Sequence, residues 1–202
     1  VRRARRREEQ AMNAVTTPKL QVRVLKAKRA SPEALAPYGE ILGYNPKIAP
    51  LPIDFYDGKA KVRRVANFES DGDTEMPVVT VDFRPLEVSH MERHPKHTQA
   101  FISLQNKPFV AVFAPPSDSE LPDIDKAEAF LFDGEAGFVM KKNCWHEFPF
   151  SLFDGTNLLV ILRKEATNGL QRDQVYANEA VGPDLVKRDI EARFGVRFRV
   201  EI

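Results

Sequence analysis

Three of the chain's four histidines, His90, His94 and His97, fall in one short stretch with Glu92, Arg93 and Gln99 among them. The fourth, His146, follows Trp145 in Cys144-Trp145-His146-Glu147. An imidazole, a carboxylate and an amide within one strand's reach can exchange protons with a small substrate, or bind a divalent metal. In an extended segment side chains alternate, so Glu92 and His94 point one way and Arg93 the other. Pro95 interrupts any ladder there, as at a barrel mouth or a bulge. Gln99 opens an apolar run over 100–104 and can aim at the same hollow. A tryptophan beside a histidine at a strand end gives an apolar wall with one polar point, a common pocket composition. The plainer alternatives are a structural role for the 92–99 cluster, a core histidine satisfied by backbone, and simple packing for Trp145.

These groups act together only if a fold brings two distant segments into one enclosure. The sequence points to many short strands. Segments 19–26, 78–83, 99–104, 109–113, 129–132, 137–141, 148–153 and 158–162 have strand character. Turn signals such as Asn106-Lys107-Pro108, Asp133-Gly134 and Asp154-Gly155 separate several of them. In 19–26, Leu20, Val22 and Val24 share one face. That spacing predicts an antiparallel sandwich or barrel. Ser31-Pro32-Glu33 starts a short helix, limited by Pro37 and Gly39. Residues 45–59 read as loop. In 182–195, Val186, Ile190 and Phe194 fall at helical spacing, with Gly195 as a stop. Phe198 opens a last strand, and no linker marks a second domain.

The 202 residues carry a net charge of +1 and are 43% apolar. A chain of this kind can bury a sizeable core and has no general pull toward nucleic acid or anionic membranes. One cysteine, Cys144, excludes an internal disulfide and suits a reducing, cytoplasmic setting. No apolar run approaches the roughly 20 residues of a membrane helix. The first seven residues hold five arginines, and Glu8 and Glu9 follow. Residues 1–18 are expected to be a disordered basic tail, and 19–202 one domain with a C-terminal helical extension.

The run ERHPKHTQAFISL, then PFVAVFAPPSD, then AFLFDGEAGFVMKKNCWHEFPF resembles the ureidoglycolate lyase family, over roughly 20–163. The resemblance implies a mainly β, cupin-like jelly-roll barrel or β-sandwich with a few short helices, commonly a homodimer. It implies cleavage of ureidoglycolate to glyoxylate and urea in purine (allantoin) catabolism. His94, His146 and Glu92 are the expected proton-transfer groups. Arg93, Lys141 and Lys142 are candidates for the substrate carboxylate, Gln99 for the urea end and Trp145 for the pocket wall. His90 and His97 are assigned to the rim or solvent. No cofactor is certain and a divalent metal is a candidate; if bound, it would use Glu92, His94, Gln99 and His146. The chain departs from the family where Met140, Lys141, Lys142 and Glu147 replace an aromatic, His, Arg and a second His or small residue. These departures keep open a different hydroxy- or ureido-acid substrate; a non-catalytic small-molecule-binding cupin and a structural dimer with incidental histidines are the other readings.

Overall fold

The run Phe109–Ala114 is buried at every position, so both of its faces are covered. This strand is the centre of the molecule. The structure is a computed structural model and describes residues 20–53, 56–173 and 178–202. The expected basic tail over 1–18 lies outside the described residues.

In chain order the first strands are β1 (Gln21–Lys26), β2 (Lys28–Arg29), β3 (Gly39–Leu42), β4 (Thr74–Glu75), β5 (Val78–Val81) and β6 (Glu87–Val88). Next come β7 (His90–Arg93), β8 (Gln99–Ser103), β9 (Phe109–Ala114), β10 (Glu128–Phe132), β11 (Gly137–Met140) and β12 (Trp145–His146). The last are β13 (Phe150–Ser151), β14 (Thr156–Arg163), β15 (Ala180–Gly182), β16 (Leu185–Asp189) and β17 (Val196–Glu201). The helices are α1 (Pro32–Leu35), α2 (Lys164–Asp173) and α3 (Ile190–Phe194).

The strands form three sheets. An eight-stranded sheet runs β15-β16-β7-β12-β9-β10-β2, with β13 also paired to β9. A six-stranded sheet runs β3-β11-β8-β14-β4, with β5 on β14, and a three-stranded sheet runs β1-β17-β6. Phe109, Ala111 and Phe113 of β9 pack with Phe101, Phe138, Leu158 and Val160 of the six-stranded sheet. Val110, Val112 and Ala114 pack on the other side with Trp145, Ile190, Phe198 and Val200. The eight-stranded sheet is therefore a middle layer between two cores. The fold is mainly β, as expected, and compatible with a jelly-roll sandwich. Ser31 caps α1, its hydroxyl accepting from the Ala34 amide at 3.2 Å, with Pro32 at the first helical position. Gly195 ends α3 at φ 65°, a left-handed conformation that disfavours other residues.

One expectation about the elements is corrected. The helix over 182–195 is confined to Ile190–Phe194, because Leu185–Asp189 is strand β16, paired antiparallel to β7. Residues four apart share a face in a strand as well as in a helix, so Val186 and Ile190 fit both patterns. Cross-strand bonds to β7 decide in favour of the strand. In β1 the apolar alternation marks the outer face. Leu20, Val22 and Val24 are 41%, 42% and 50% exposed, while Leu25 packs inward.

A second apolar row faces outward on the six-stranded sheet. Leu159 pairs with both Val78 and Ile102, so the three side chains share one face. Val78 is 56% exposed and the other two are half-buried. The inward residues Leu158 and Val160 alternate with Leu159 along β14.

Candidate active site

Register builds the site. Glu92 of β7 stands opposite His146 of β12 on one side and Lys187 of β16 on the other. His146 in turn stands opposite Phe113 of β9. Directly paired residues project from the same face of a sheet. Lys187, Glu92, His146 and Phe113 thus form one cross-strand row on the face toward the six-stranded sheet. Their neighbours Met91 and Trp145 project into the opposite core.

The two imidazoles converge on Glu92. Its Oε1 lies 3.6 Å from His146 Nε2 and 3.8 Å from His94 Nε2, and the two rings are 5.4 Å apart. Each ring is tied on its other nitrogen. His146 Nδ1 donates to the Cys144 carbonyl at 3.0 Å, and His94 Nδ1 to the Asp184 carbonyl at 2.8 Å. Since only an N–H can donate to a carbonyl, both rings carry their proton on Nδ1 and turn the Nε2 lone pair toward Glu92. Both Nε2 atoms are buried without a hydrogen-bond partner among the described residues.

Asp184 fastens this arrangement from the β15–β16 turn. Its carboxylate accepts from the Lys96 amide and from His97 Nδ1, each at 2.9 Å, while its carbonyl holds His94. His97 is 1% exposed, so its expected place at the rim is corrected: Asp184 draws it into the interior beside His94, ring centres 4.6 Å apart.

Burial sets the protonation states. It pushes all three rings below the ordinary imidazole range, His146 to about 3, with the neighbouring imidazoles adding to the effect. These rings are neutral near pH 7. Burial acts the opposite way on the carboxyls. Glu92 is raised, and Glu147 rises to about 7 although the Arg84 guanidinium at 3.3 Å pulls it down.

A cavity of about 260 Å³ opens over the row, lined by His90, Glu92, His146, Glu147, Phe148 and Lys187 together with Met91 and Leu170. His94 stands behind Glu92 and is not part of the lining. His90 sits at the wall, its Nδ1 2.9 Å from the Ser89 hydroxyl. The remaining expected residues lie elsewhere. Arg93 bonds Asn143 Oδ1 at 2.5 Å and lies over Trp145, whose Nε1 donates to Ser117 at 3.2 Å. Lys141 Nζ donates to the Ala36 and Pro37 carbonyls, and Lys142 pairs with Glu69 at 2.7 Å. Gln99 is buried on β8, its Oε1 without a partner. Sequence reasoning missed Glu147, Lys187 and Asp184. Glu147 adjoins His146 and was readable as a polar residue in an apolar strand end. The other two come from a segment whose pattern suggested helix.

The donor set suits a cation. One ligand atom from each of Glu92, His94 and His146 lies within 4.8 Å of the others. Two free buried imidazole nitrogens, each held by a carbonyl on its far side, and a carboxylate are what a divalent metal requires.

Over residues 22–181 the chain matches the sequence profile described as ureidoglycolate lyase. It is 27% identical over 154 residues to the ureidoglycolate lyase of Azotobacter vinelandii (strain DJ), covering 72% of this chain and 88% of that one. It is 38% identical over 84 residues to the ureidoglycolate lyases of Escherichia coli O9:H4 (strain HS) and Shigella boydii serotype 18. Those matches cover 42% of this chain and 51% of each relative, about half their length.

Proposed function

Because the chain belongs to the ureidoglycolate lyase family, we propose that it is a lyase that cleaves ureidoglycolate to glyoxylate and urea, a step of purine catabolism. The substrate carbon bears a carboxylate, a hydroxyl and a ureido nitrogen. In the elimination a base takes the hydroxyl proton and the O–H pair becomes the aldehyde C=O. The C–N bond breaks with its electrons on nitrogen, which takes a proton to leave as urea.

The observation that carries this reading is the cavity floor, where the neutral Nε2 of His146 faces a carboxyl of raised affinity for protons. His146 is assigned as the base because its Nδ1 proton is committed to the Cys144 carbonyl, which leaves a lone pair and no proton on Nε2. The acid is a carboxyl: Glu147, poised near neutrality on the cavity wall, or Glu92. His94 acts as a positioning residue, its Nε2 3.8 Å from Glu92 Oε1 and its Nδ1 fixed by the Asp184 carbonyl. Glu92, His94 and His146 are also the residues that would hold a divalent cation, which when bound would supply positive charge for the substrate's oxygens; His146 Nε2 would then be a ligand, and the base role would pass to Glu147. A neighbouring reading, a different 2-hydroxy- or ureido-acid, is favoured by Glu147 because its carboxyl adds a polar contact to the cavity wall.

The reading extends to a homodimer in the cytoplasm. The outward apolar row of Val78, Leu159 and Ile102 supports a second copy as its cover. Cys144, a buried thiol whose ionisation burial disfavours, supports a reducing compartment.

Purified protein given ureidoglycolate is expected to release urea and glyoxylate in equal amounts; ammonia release would identify a hydrolase instead. His146→Ala is expected to lower turnover about 10²–10⁴-fold with the fold retained. Near-normal turnover in that variant removes His146 from the chemistry. Repeating both assays after chelation tests the cation.

A further inference from the structure

Of the two carboxyls at the cavity, Glu147 stands on the wall, and its two oxygens are not equivalent. Oε1 accepts from the Phe148 amide at 3.1 Å and from Arg84 Nη2 at 3.3 Å. Among the described residues, the hydrogen bonds to this carboxyl all fall on Oε1. Glu92 and Lys187 act on it through their charge. The same Arg84 Nη2 donates to the Phe148 carbonyl at 2.7 Å, and the guanidinium lies 3.7 Å over the Phe150 ring. Phe150 is fully buried, so the ring is a fixed platform for the cation. The backbone beside Arg84 is fixed as well. Phe83 bridges Ser151 of β13, and its amide donates to Asp154 Oδ1 at 2.8 Å. Arg84 stands behind the lining, which contains Glu147 and Phe148.

We propose that Arg84 is a positioning residue that, with the Phe148 amide, holds Oε1 of Glu147 and presents Oε2 to the substrate. N–H groups aimed at one oxygen of a carboxyl make that oxygen the acceptor. When the group is protonated its hydroxyl is therefore Oε2, and when it is ionised Oε2 keeps its lone pairs open. The same oxygen serves Glu147 as acid, or as base where a cation occupies His146. Without Arg84 the carboxyl can turn, and a misplacement of about 1 Å at a reacting group costs on the order of 10²-fold in rate. A planar guanidinium meets a carboxylate, a carbonyl and a ring at once; a lysine ammonium restores the charge but not the fork. The inference rests on the lyase reading for its substrate, but not for the orientation of the carboxyl.

The test separates the two. Arg84→Met, Arg84→Lys, Glu147→Gln and the double variant Arg84→Met/Glu147→Gln are compared with the wild-type protein for kcat and KM on ureidoglycolate. Glyoxylate binding is measured by calorimetry without turnover. Arg84→Met is expected to lose about 10–100-fold in kcat, with KM and the glyoxylate Kd within about twofold of wild type. Arg84→Lys should recover part of the loss. In the Glu147→Gln background Arg84→Met should cost nothing further, because the oxygen it presents no longer exchanges a proton. Losses that add in the double variant overturn the proposal, as does a wild-type kcat in Arg84→Met. An arginine that merely supported the wall would worsen kcat, KM and Kd together, and that result overturns it too. If the wild type leaves ureidoglycolate intact, the lyase reading falls, and crystal structures of wild type and Arg84→Met decide the orientation. A Glu147 carboxyl that turns in the variant sustains the positioning role, and an unmoved one overturns it. If Arg84→Met does not fold, Arg84→Gln carries the same comparison.

Discussion

An imidazole buried without a partner on Nε2 has a pH signature. His94, His97 and His146 bind a proton more weakly folded than unfolded, so acid favours the unfolded chain. Stability from these rings is whole above pH about 6.5 and is lost as pH falls, the His146 share ending near 3. Glu92 and Glu147 run the other way. Their contribution is whole below about 4.5 and is lost as pH rises, for Glu147 through about 7. The two groups offset each other between about 4.5 and 6.5; below that the loss from the rings is joined by that from Asp184 and Glu179, whose carboxyls their partners hold below the ordinary range. In chelator-treated protein, His146→Gln is expected to flatten the fall in unfolding temperature between pH about 4.5 and 3.5. Superimposable wild-type and variant curves would show that the ring is not titrating as argued. The candidate site was legible where residue type was unusual for its setting: Glu92 and His94 cluster with two further histidines, and His146 follows a tryptophan at a strand end. Their protonation was not, because an unperturbed imidazole near 6.5 suits acid and base equally, and only burial chooses.

Short elements here are held by cross-strand partners more than by their own sequences. The two-residue turn between β15 and β16 sets Asp184 against Lys96, His97 and His94 at once. Asp184→Ala strands a buried imidazole N–H and a backbone amide. It is expected to cost about 2–4 kcal/mol in denaturant unfolding and to lower turnover by loosening His94. A loss under ~0.5 kcal/mol would mean that water replaces the carboxylate. The same hairpin shows why part of the fold escaped the sequence. Val186, Ile190 and Phe194 give a helical period, but Val186 belongs to a strand stitched to Arg93 and Ile190 begins the helix. Local pattern carries no information about a partner almost a hundred residues away. The expectations for 109–113 and 158–162 needed none, since strong β-propensity and the buried setting agree there.

At the scale of the molecule the described residues make three sheets and leave an apolar row on the outside of one of them. If a second copy covers Val78, Leu159 and Ile102, sedimentation should give a dimer. Val78→Lys, a change at a half-exposed position, should give a folded monomer with little loss of unfolding temperature. A dimer that survives Val78→Lys places the subunit contact elsewhere, and the outer face of β1 becomes the next surface to test. Layering itself was readable only in part. The all-buried β9 is a continuous apolar run, which flags two covered faces, but nothing in β1 says that its apolar side faces out.

The parallel pairing of β1 with β17 joins strands translated at nearly opposite times, Gln21 beside Val196 and Lys26 beside Glu201. A nascent chain still threaded through the ribosome has no partner for β1 until β17 emerges. The same late stretch holds Asp184 and Lys187. Catalytic competence should therefore arrive abruptly, after synthesis has passed β17. Ribosome-stalled chains that stop short of it should remain inert and protease-sensitive, however complete the middle layer already is.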